Sequence, residues 1–303
     1  MRTYRTIVAT ATAALALGGA LFAVPTAQAA TTTSGAVVHE GSGLWYKATP
    51  GQNNQLTITD TTEERTDSNG FPEYYYVVTF DDRFDITIDA RAAEVDRCAY
   101  PSASDRTVVQ CEAPVSLGSD DSPRYEVTVR DGNDTVTLDP DNNADATVYA
   151  GPGNDTLTDN SLSAVLYGED GNDRLHGGGG GWGMGPYGGK GDDTITACAY
   201  ACYGGAGNDT LTGDAELNNM YGDSGNDVIH GKQGRDSLFG GKGNDRLHGN
   251  RGDDKVYGEQ GNDTLWGDQE NDALYGNSGN DVLYGGQGTD TLSGGAGSNK
   301  LHQ

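Results

Sequence analysis

The chain has 303 residues, with 45 acidic against 19 basic side chains, a formal charge of −26 and 47 glycines. That balance argues against nucleic acid and anionic bilayers as partners, since both are held through basic patches, and it favours cations. The length leaves room for about two domains, and beyond residue 29 no apolar run approaches the ~20 residues needed to span a bilayer.

Residues 1–29 read as a secretory signal peptide. Arg2 and Arg5 form a basic start, Ile7 to Val24 is apolar, and Ala27-Gln28-Ala29 is an A-x-A cleavage site. The expectation is a Sec-type route, cleavage near Ala29, and a secreted, extracellular or cell-surface protein.

Residues 30–128 are predicted to form a small β-rich domain or cap. Five alternating runs read as strands: 55–60 (QLTITD), 74–80 (YYYVVTF), 84–89 (FDITID), 107–111 (TVVQC) and 125–129 (YEVTV). A cap has a physical purpose, because the first coil of a repeat array would otherwise expose an apolar end and free strand edges. Catalytic motifs are missing from this stretch. There is no H-E-x-x-H and no G-x-S-x-G, His39 is the sole histidine, and the acid pairs Glu63-Glu64 and Asp81-Asp82 read as a solvated face. The protein is therefore expected not to be an enzyme. The alternative is a secreted, calcium-stabilised hydrolase with an unrecognised catalytic domain in 30–128.

Four cysteines, Cys98, Cys111, Cys198 and Cys202, suit disulfides in an oxidising compartment. Proximity favours Cys98–Cys111 and Cys198–Cys202, with three connectivities formally open. The gaps do not match paired zinc knuckles.

From Gly204 the chain runs in nines to His302: GGAGNDTLT, GDAELNNMY, GDSGNDVIH, GKQGRDSLF, GGKGNDRLH and six more units without a gap. Upstream copies start at Gly188, Gly168 and Ala150, and a fainter one spans Asp131 to Thr137. The glycines permit turns with positive φ. Such turns expose carbonyls, and the sixth-position Asp adds a carboxylate; hard oxygens of this kind suit Ca²⁺. The eighth position is one large aliphatic between polar neighbours, which predicts a short strand with a single inward side chain. A disordered Gly/Asp tract would explain the composition but not the unbroken inward series from Leu211 to Leu301.

These units resemble the repeat-in-toxin (RTX), haemolysin-type calcium-binding repeats of secreted bacterial proteins, over about residues 129–303. The resemblance implies an all-β fold: a right-handed parallel β-roll, a calcium-stacked nonapeptide β-solenoid with two units per coil. Each ion would sit between turns of successive coils, held by Asp carboxylates and backbone carbonyls. Turns eighteen residues apart then share an edge. The first edge carries Asp155, Asp173, Asp193, Asp209, Asp227, Asp245, Asp263 and Asp281, with Asp134 as an outlying candidate; the second carries Asp236, Asp254, Asp272 and Asp290. Multiple Ca²⁺ ions are expected on an asymmetric pair of ladders. Two units depart from the pattern: GDAELNNMY has Asn218 for Asp, predicting a weak or empty site, and GDQENDALY has Glu270 for Gly.

Carboxylates ~4.8 Å apart repel by about 0.9 kcal/mol even in water, and one aliphatic per nine residues is a thin core. The chain is thus expected to be coil-like without metal and to fold on Ca²⁺. Aromatic residues at the ninth position (Tyr221, Phe239, Tyr257 and Tyr275 on one face; His230, His248, Trp266 and Tyr284 on the other) are expected to pack across strands. Their alternative use is a face for a glycan or cell-surface partner. The Arg251-Gly252-Asp253 triplet and the Asn-Asp-Thr sequons fall at repeat positions and read as by-products of the turn. The run 139–145 resembles the start of an EF-hand loop but lacks its Gly.

Overall fold

The structure, a computed structural model, describes residues 33–40, 43–66, 69–70, 72–114, 124–140, 145–161, 164–179 and 184–303. The signal-peptide reading, and most of the EF-hand-like run, lie outside the described residues. Everything described belongs to two 13-stranded sheets and their connections, with one helical turn.

The first strands are β1 (Thr33–Glu40), β2 (Gly43–Ala48), β3 (Gln55–Thr66), β4 (Pro72–Asp82) and β5 (Asp85–Ile88). They are followed by α1 (Ala90–Val95), β6 (Val108–Pro114), β7 (Arg124–Thr128) and β8 (Thr135–Leu138). All five strands expected in this region are present; β1, β2 and α1 were not anticipated. α1 is a six-residue helix capped by Asp89, whose carboxylate accepts from the Ala92 amide. These strands do not make a separate layer. β2 pairs in parallel with β7, and β3 in parallel with β8, so they form the first coil of the same stack. β1 and β5 then close one sheet and β4 and β6 the other, with antiparallel pairing of β1 on β2 and of β4 on both β3 and β6.

Beyond β8 the strands alternate between the sheets, from Asp145–Pro152 to Lys300–His302, all in parallel pairs. This is a parallel β-solenoid of about nine coils. The eighth-position aliphatic and its polar neighbours predict a short strand. Half of the eighteen strands that follow β8 among the described residues are six residues long, because pairing continues into the first half of the following turn: in Ser237–Lys242, Gly241 and Lys242 still face Glu259 and Gln260.

The eighth-position residues point inward, as the alternation requires. Leu157, Leu166, Ile195, Leu211, Met220 and their counterparts down to Leu283 are completely or almost completely buried. Cys202 takes this inward place in its strand, aligned with Met220, and is bonded to Cys198; Cys98 is bonded to Cys111. The core is not uniform. In the roll it is a double file of single aliphatics, whereas the first coil is filled by rings: Tyr46 stacks on Phe80 with centroids 5.9 Å apart, and Phe80 meets Tyr125 edge-on. No helix among the described residues is long and apolar enough to cross a membrane.

Candidate metal centre

Each nonapeptide turn places its sixth residue at the inner corner of the solenoid. The parallel register then stacks these corners. On the first edge the backbone N–H of Asp134 donates to Asp155 Oδ1, that of Asp155 to Asp173, and so on through Asp193, Asp209, Asp227, Asp245 and Asp263 to Asp281, at 2.7 to 3.0 Å. The run absorbs the irregular spacings of twenty residues (Asp173 to Asp193) and sixteen (Asp193 to Asp209) without a break. Asn299 ends it, accepting from Asp281 N–H. On the second edge Asn218, Asp236, Asp254, Asp272 and Asp290 are joined the same way, at 2.7 to 3.0 Å. The thirteen aspartates singled out in the sequence therefore fall on two ladders of unequal length.

Only one carboxylate oxygen of each Asp is used. Oδ2 of Asp134, Asp155, Asp173, Asp193, Asp209, Asp227, Asp245, Asp263 and Asp281 is buried with no hydrogen-bond donor, as is Oδ2 of Asp236, Asp254 and Asp272. Asp290, on the last rung of its edge, is half-buried. Native interiors hold few such atoms, because each costs the full desolvation of an acceptor. Here they recur with the period of the coil.

A second acceptor faces eight of these twelve orphans. A Cβ on Gly231 would lie 2.5 Å from Asp236 Oδ2 and 2.6 Å from the Gly249 carbonyl oxygen of the next coil. The first-position glycine thus leaves a small space on which two oxygens converge with no proton between them, and the same arrangement recurs at Gly168, Gly188, Gly222 and Gly267. Converging oxygens without a donor fit a hard cation. No group of three or more His, Cys, Asp or Glu side chains gathers among the described residues, and the oxygens beside those eight orphaned carboxylates are backbone carbonyls.

Removal from water raises eleven of the ladder carboxyls above the ordinary value of 3.8, while the N–H bond from the preceding rung pulls the other way. Asp155, Asp193, Asp227, Asp236, Asp263 and Asp272 are pushed up to about 7. Asp134, Asp209, Asp245 and Asp254 are pushed up to about 6, and Asp173 is also raised. A bound cation would reverse that effect by supplying the missing positive charge.

The two atypical units behave differently. In GDAELNNMY the turn closes on itself: Asp214 N–H donates to Asn218 Oδ1, and Asn218 Nδ2 donates to Asp214 Oδ1 and to the Cys198 carbonyl. In GDQENDALY Glu270 adopts φ 72°, the glycine-like conformation, and Asp272 keeps its place on the ladder.

Two features were not read from the sequence. Asn54 forms a rung before Asp134, with its N–H donating to Asp134 Oδ1. The fifth-position residues make a second ladder outside the first: Asn226 N–H donates to Asn208 Oδ1, Asn244 to Asn226, Asn262 to Asn244 and Asn280 to Asn262, at 2.8 to 2.9 Å. Its donors point back along the chain, whereas those of the Asp ladder point forward. The signal was visible in the recurrent Asn-Asp pair, which had been credited to the turn alone.

The ninth-position rings stack as expected and the column is longer than the four residues named. Tyr149, Tyr167, Tyr187, Tyr203, Tyr221, Phe239, Tyr257 and Tyr275 run without a gap, with centroids 4.7 to 5.0 Å apart. His230, His248, Trp266, Tyr284 and His302 form the column on the other sheet. Ring faces cover one another, so edges meet solvent.

The family model of the RTX calcium-binding nonapeptide repeat (four copies) matches residues 149–181, 203–238, 230–265, 239–273 and 266–301. No curated protein matches the chain. The matched segments are those whose turns carry most of the orphaned carboxylates, and the solenoid they build is a β-roll: residues 149–301 of the chain carry RTX-type calcium-binding repeats.

Proposed function

We propose that this is a secreted protein whose roll folds when several Ca²⁺ ions fill its two ladders, and that its role is structural or binding, at a cell surface or in the extracellular medium, rather than catalytic. The observation that carries this reading is the periodic row of buried Oδ2 atoms lacking a donor, eight of the twelve opposed by a carbonyl of the next coil. The ligands are the carboxylates of Asp134, Asp155, Asp173, Asp193, Asp209, Asp227, Asp245, Asp263 and Asp281 on one edge and of Asp236, Asp254, Asp272 and Asp290 on the other, with backbone carbonyls completing each site. When bound, calcium supplies the positive charge that buried carboxylates require, and so part of the free energy of folding. Residues 30–128 serve as the cap. A glycan or surface partner would meet ring edges, since the ring faces are occupied by their neighbours.

The test is a calcium titration of the mature chain followed by calorimetry and far-UV circular dichroism. The expected result is a largely coil-like spectrum in EDTA, a β spectrum in millimolar Ca²⁺ and binding of several ions per chain. Identical spectra in the two media, with no heat of binding, would overturn it.

A further inference from the structure

The matches to the repeat family begin at residue 149, but the stacking of turns begins nearly a hundred residues earlier. Residues 51–57 (GQNNQLT) lie on 131–137 (DGNDTVT) position for position: Gln55 faces Thr135, Leu56 faces Val136 and Thr57 faces Thr137. Asn133 N–H donates to Asn53 Oδ1 at 3.0 Å, as Asn154 does to Asn133 at 2.9 Å. Both ladder contacts of the later coils are thus reproduced here. Two positions differ: Gln52 stands where a repeat has Gly, and Asn54 where it has Asp.

The Asn54 substitution changes the chemistry of the joint. Its amide nitrogen lies among three oxygens, 2.9 Å from Asp134 Oδ1, 3.2 Å from the Gln52 carbonyl and 3.5 Å from the Val129 carbonyl. Val129 holds the first position of the following unit. In later coils that carbonyl faces an undonated Asp Oδ2, as Gly249 faces Asp236. Here it faces an N–H. The second ladder starts in a related way, with Asn218 Nδ2 donating to the Cys198 carbonyl at 2.7 Å, where the roll meets a coil without a metal turn.

We propose that residues 51–57 are a cryptic repeat and that Asn54 is a built-in substitute for a calcium ion. Its amide hydrogens do at this joint what a cation does at the next ones. The ring-filled cap and the 135–138 strand therefore hold together without metal, and present a rung on which the calcium-dependent coils assemble from the N-terminal end; on that rung the Asn54 Nδ2 donors are used, while Asn54 Oδ1 and Gln52 Oε1 are buried without a donor. This rests on the calcium reading above and extends it to a place where calcium is not required.

Hydrogen exchange of the full chain in chelator tests it. Amides of 55–58 and 135–138 are expected to exchange about a hundredfold more slowly than those of 210–283. Asn54→Asp sets a carboxylate against the Val129 carbonyl; protection of 55–58 and 135–138 should then disappear in chelator and return with calcium, with one more ion bound per chain. Asn54→Ala removes the donors without adding charge and should loosen the same amides in both media. Equal exchange of the two segments in the wild-type chain, or unaltered protection and stoichiometry in both variants, overturns the proposal. A wild-type chain that binds no calcium at all would instead defeat the calcium reading itself.

Discussion

The cap and an early coil each hold a buried aspartate with donors on both oxygens, whereas the ladder aspartates of the roll leave one oxygen bare. Asp82 in the cap is almost completely buried, yet its Oδ2 accepts from the Tyr46 hydroxyl at 2.7 Å and its Oδ1 from Gln55 N–H at 3.1 Å. Asp159, on the second edge of an early coil, is equally well served: Oδ1 accepts from the amide and hydroxyl of Ser161, and Oδ2 from Ala164 N–H. Asp155, four residues away on the first edge, receives one N–H and is left with a bare Oδ2. A buried carboxylate with donors on both oxygens is a finished structural element. One with a single donor is finished only when a proton or a cation arrives. On the function proposed above, that difference distinguishes the ladder aspartates, which need a cation, from Asp82 and Asp159, which do not.

Calcium removal should give the largest effect. In chelator the β signal of the roll is expected to collapse while the near-UV signal of the Tyr46–Phe80–Tyr125 cluster persists; simultaneous loss of both would erase the distinction between the regions. Matched substitutions sharpen it. Asp227→Asn, in the middle of the first ladder, should remove one ion from the stoichiometry and raise the calcium midpoint several-fold. Asp82→Asn should leave calcium binding unchanged and cost the cap about 1–3 kcal/mol, read from thermal unfolding in chelator.

Acidity provides a third lever. Carboxyls raised to about 6–7 in the folded roll, against 3.8 ordinarily, hold protons that the unfolded chain has released. Their contribution to the metal-free roll is fully present below about pH 4 and is lost as pH rises through 6–7. Without calcium, β content should therefore increase on acidification from pH 8 to pH 5. With limiting calcium the order reverses, because protons and calcium compete for the same oxygens: the midpoint should shift to higher calcium between pH 8 and pH 6. A midpoint independent of pH would show that the orphaned oxygens are not the ligands. The smallest effect should come from Tyr203→Ala, which opens the aromatic column between Tyr187 and Tyr221. It is expected to cost about 0.5–1.5 kcal/mol in calcium-loaded unfolding and to leave the stoichiometry intact.

Much of the roll was legible because one residue type recurs at one position. The sixth-position Asp, the eighth-position aliphatic and the flanking glycines each have a single physical task, so periodicity reveals them. The first rung was hidden because Gln52 and Asn54 perform the task with different groups. The threonines were hidden for another reason. They look scattered along the chain, but coils of unequal length bring Thr57, Thr137, Thr158, Thr196 and Thr212 into one column interrupted only by His176. Linear spacing does not show which side of the coil absorbs an insertion. The edge positions of Leu292 and Leu301 could not be read either: their letters fit the inward series, yet Leu292 is only partly buried and Leu301 is half exposed, on the outermost strands of the two sheets.

The two ladders of each turn donate in opposite directions, Asp amides forward and Asn amides backward. Every joint in the regular part of the first edge is thereby interchangeable with every other. Excising Gly240 to Tyr257 would bring Asn262 and Asp263 onto Asn226 and Asp227 with both sets of partners restored. A gene built this way can gain or lose whole coils by unequal recombination without redesigning a seam, so the length of such a protein is free to drift while its cross-section stays constant.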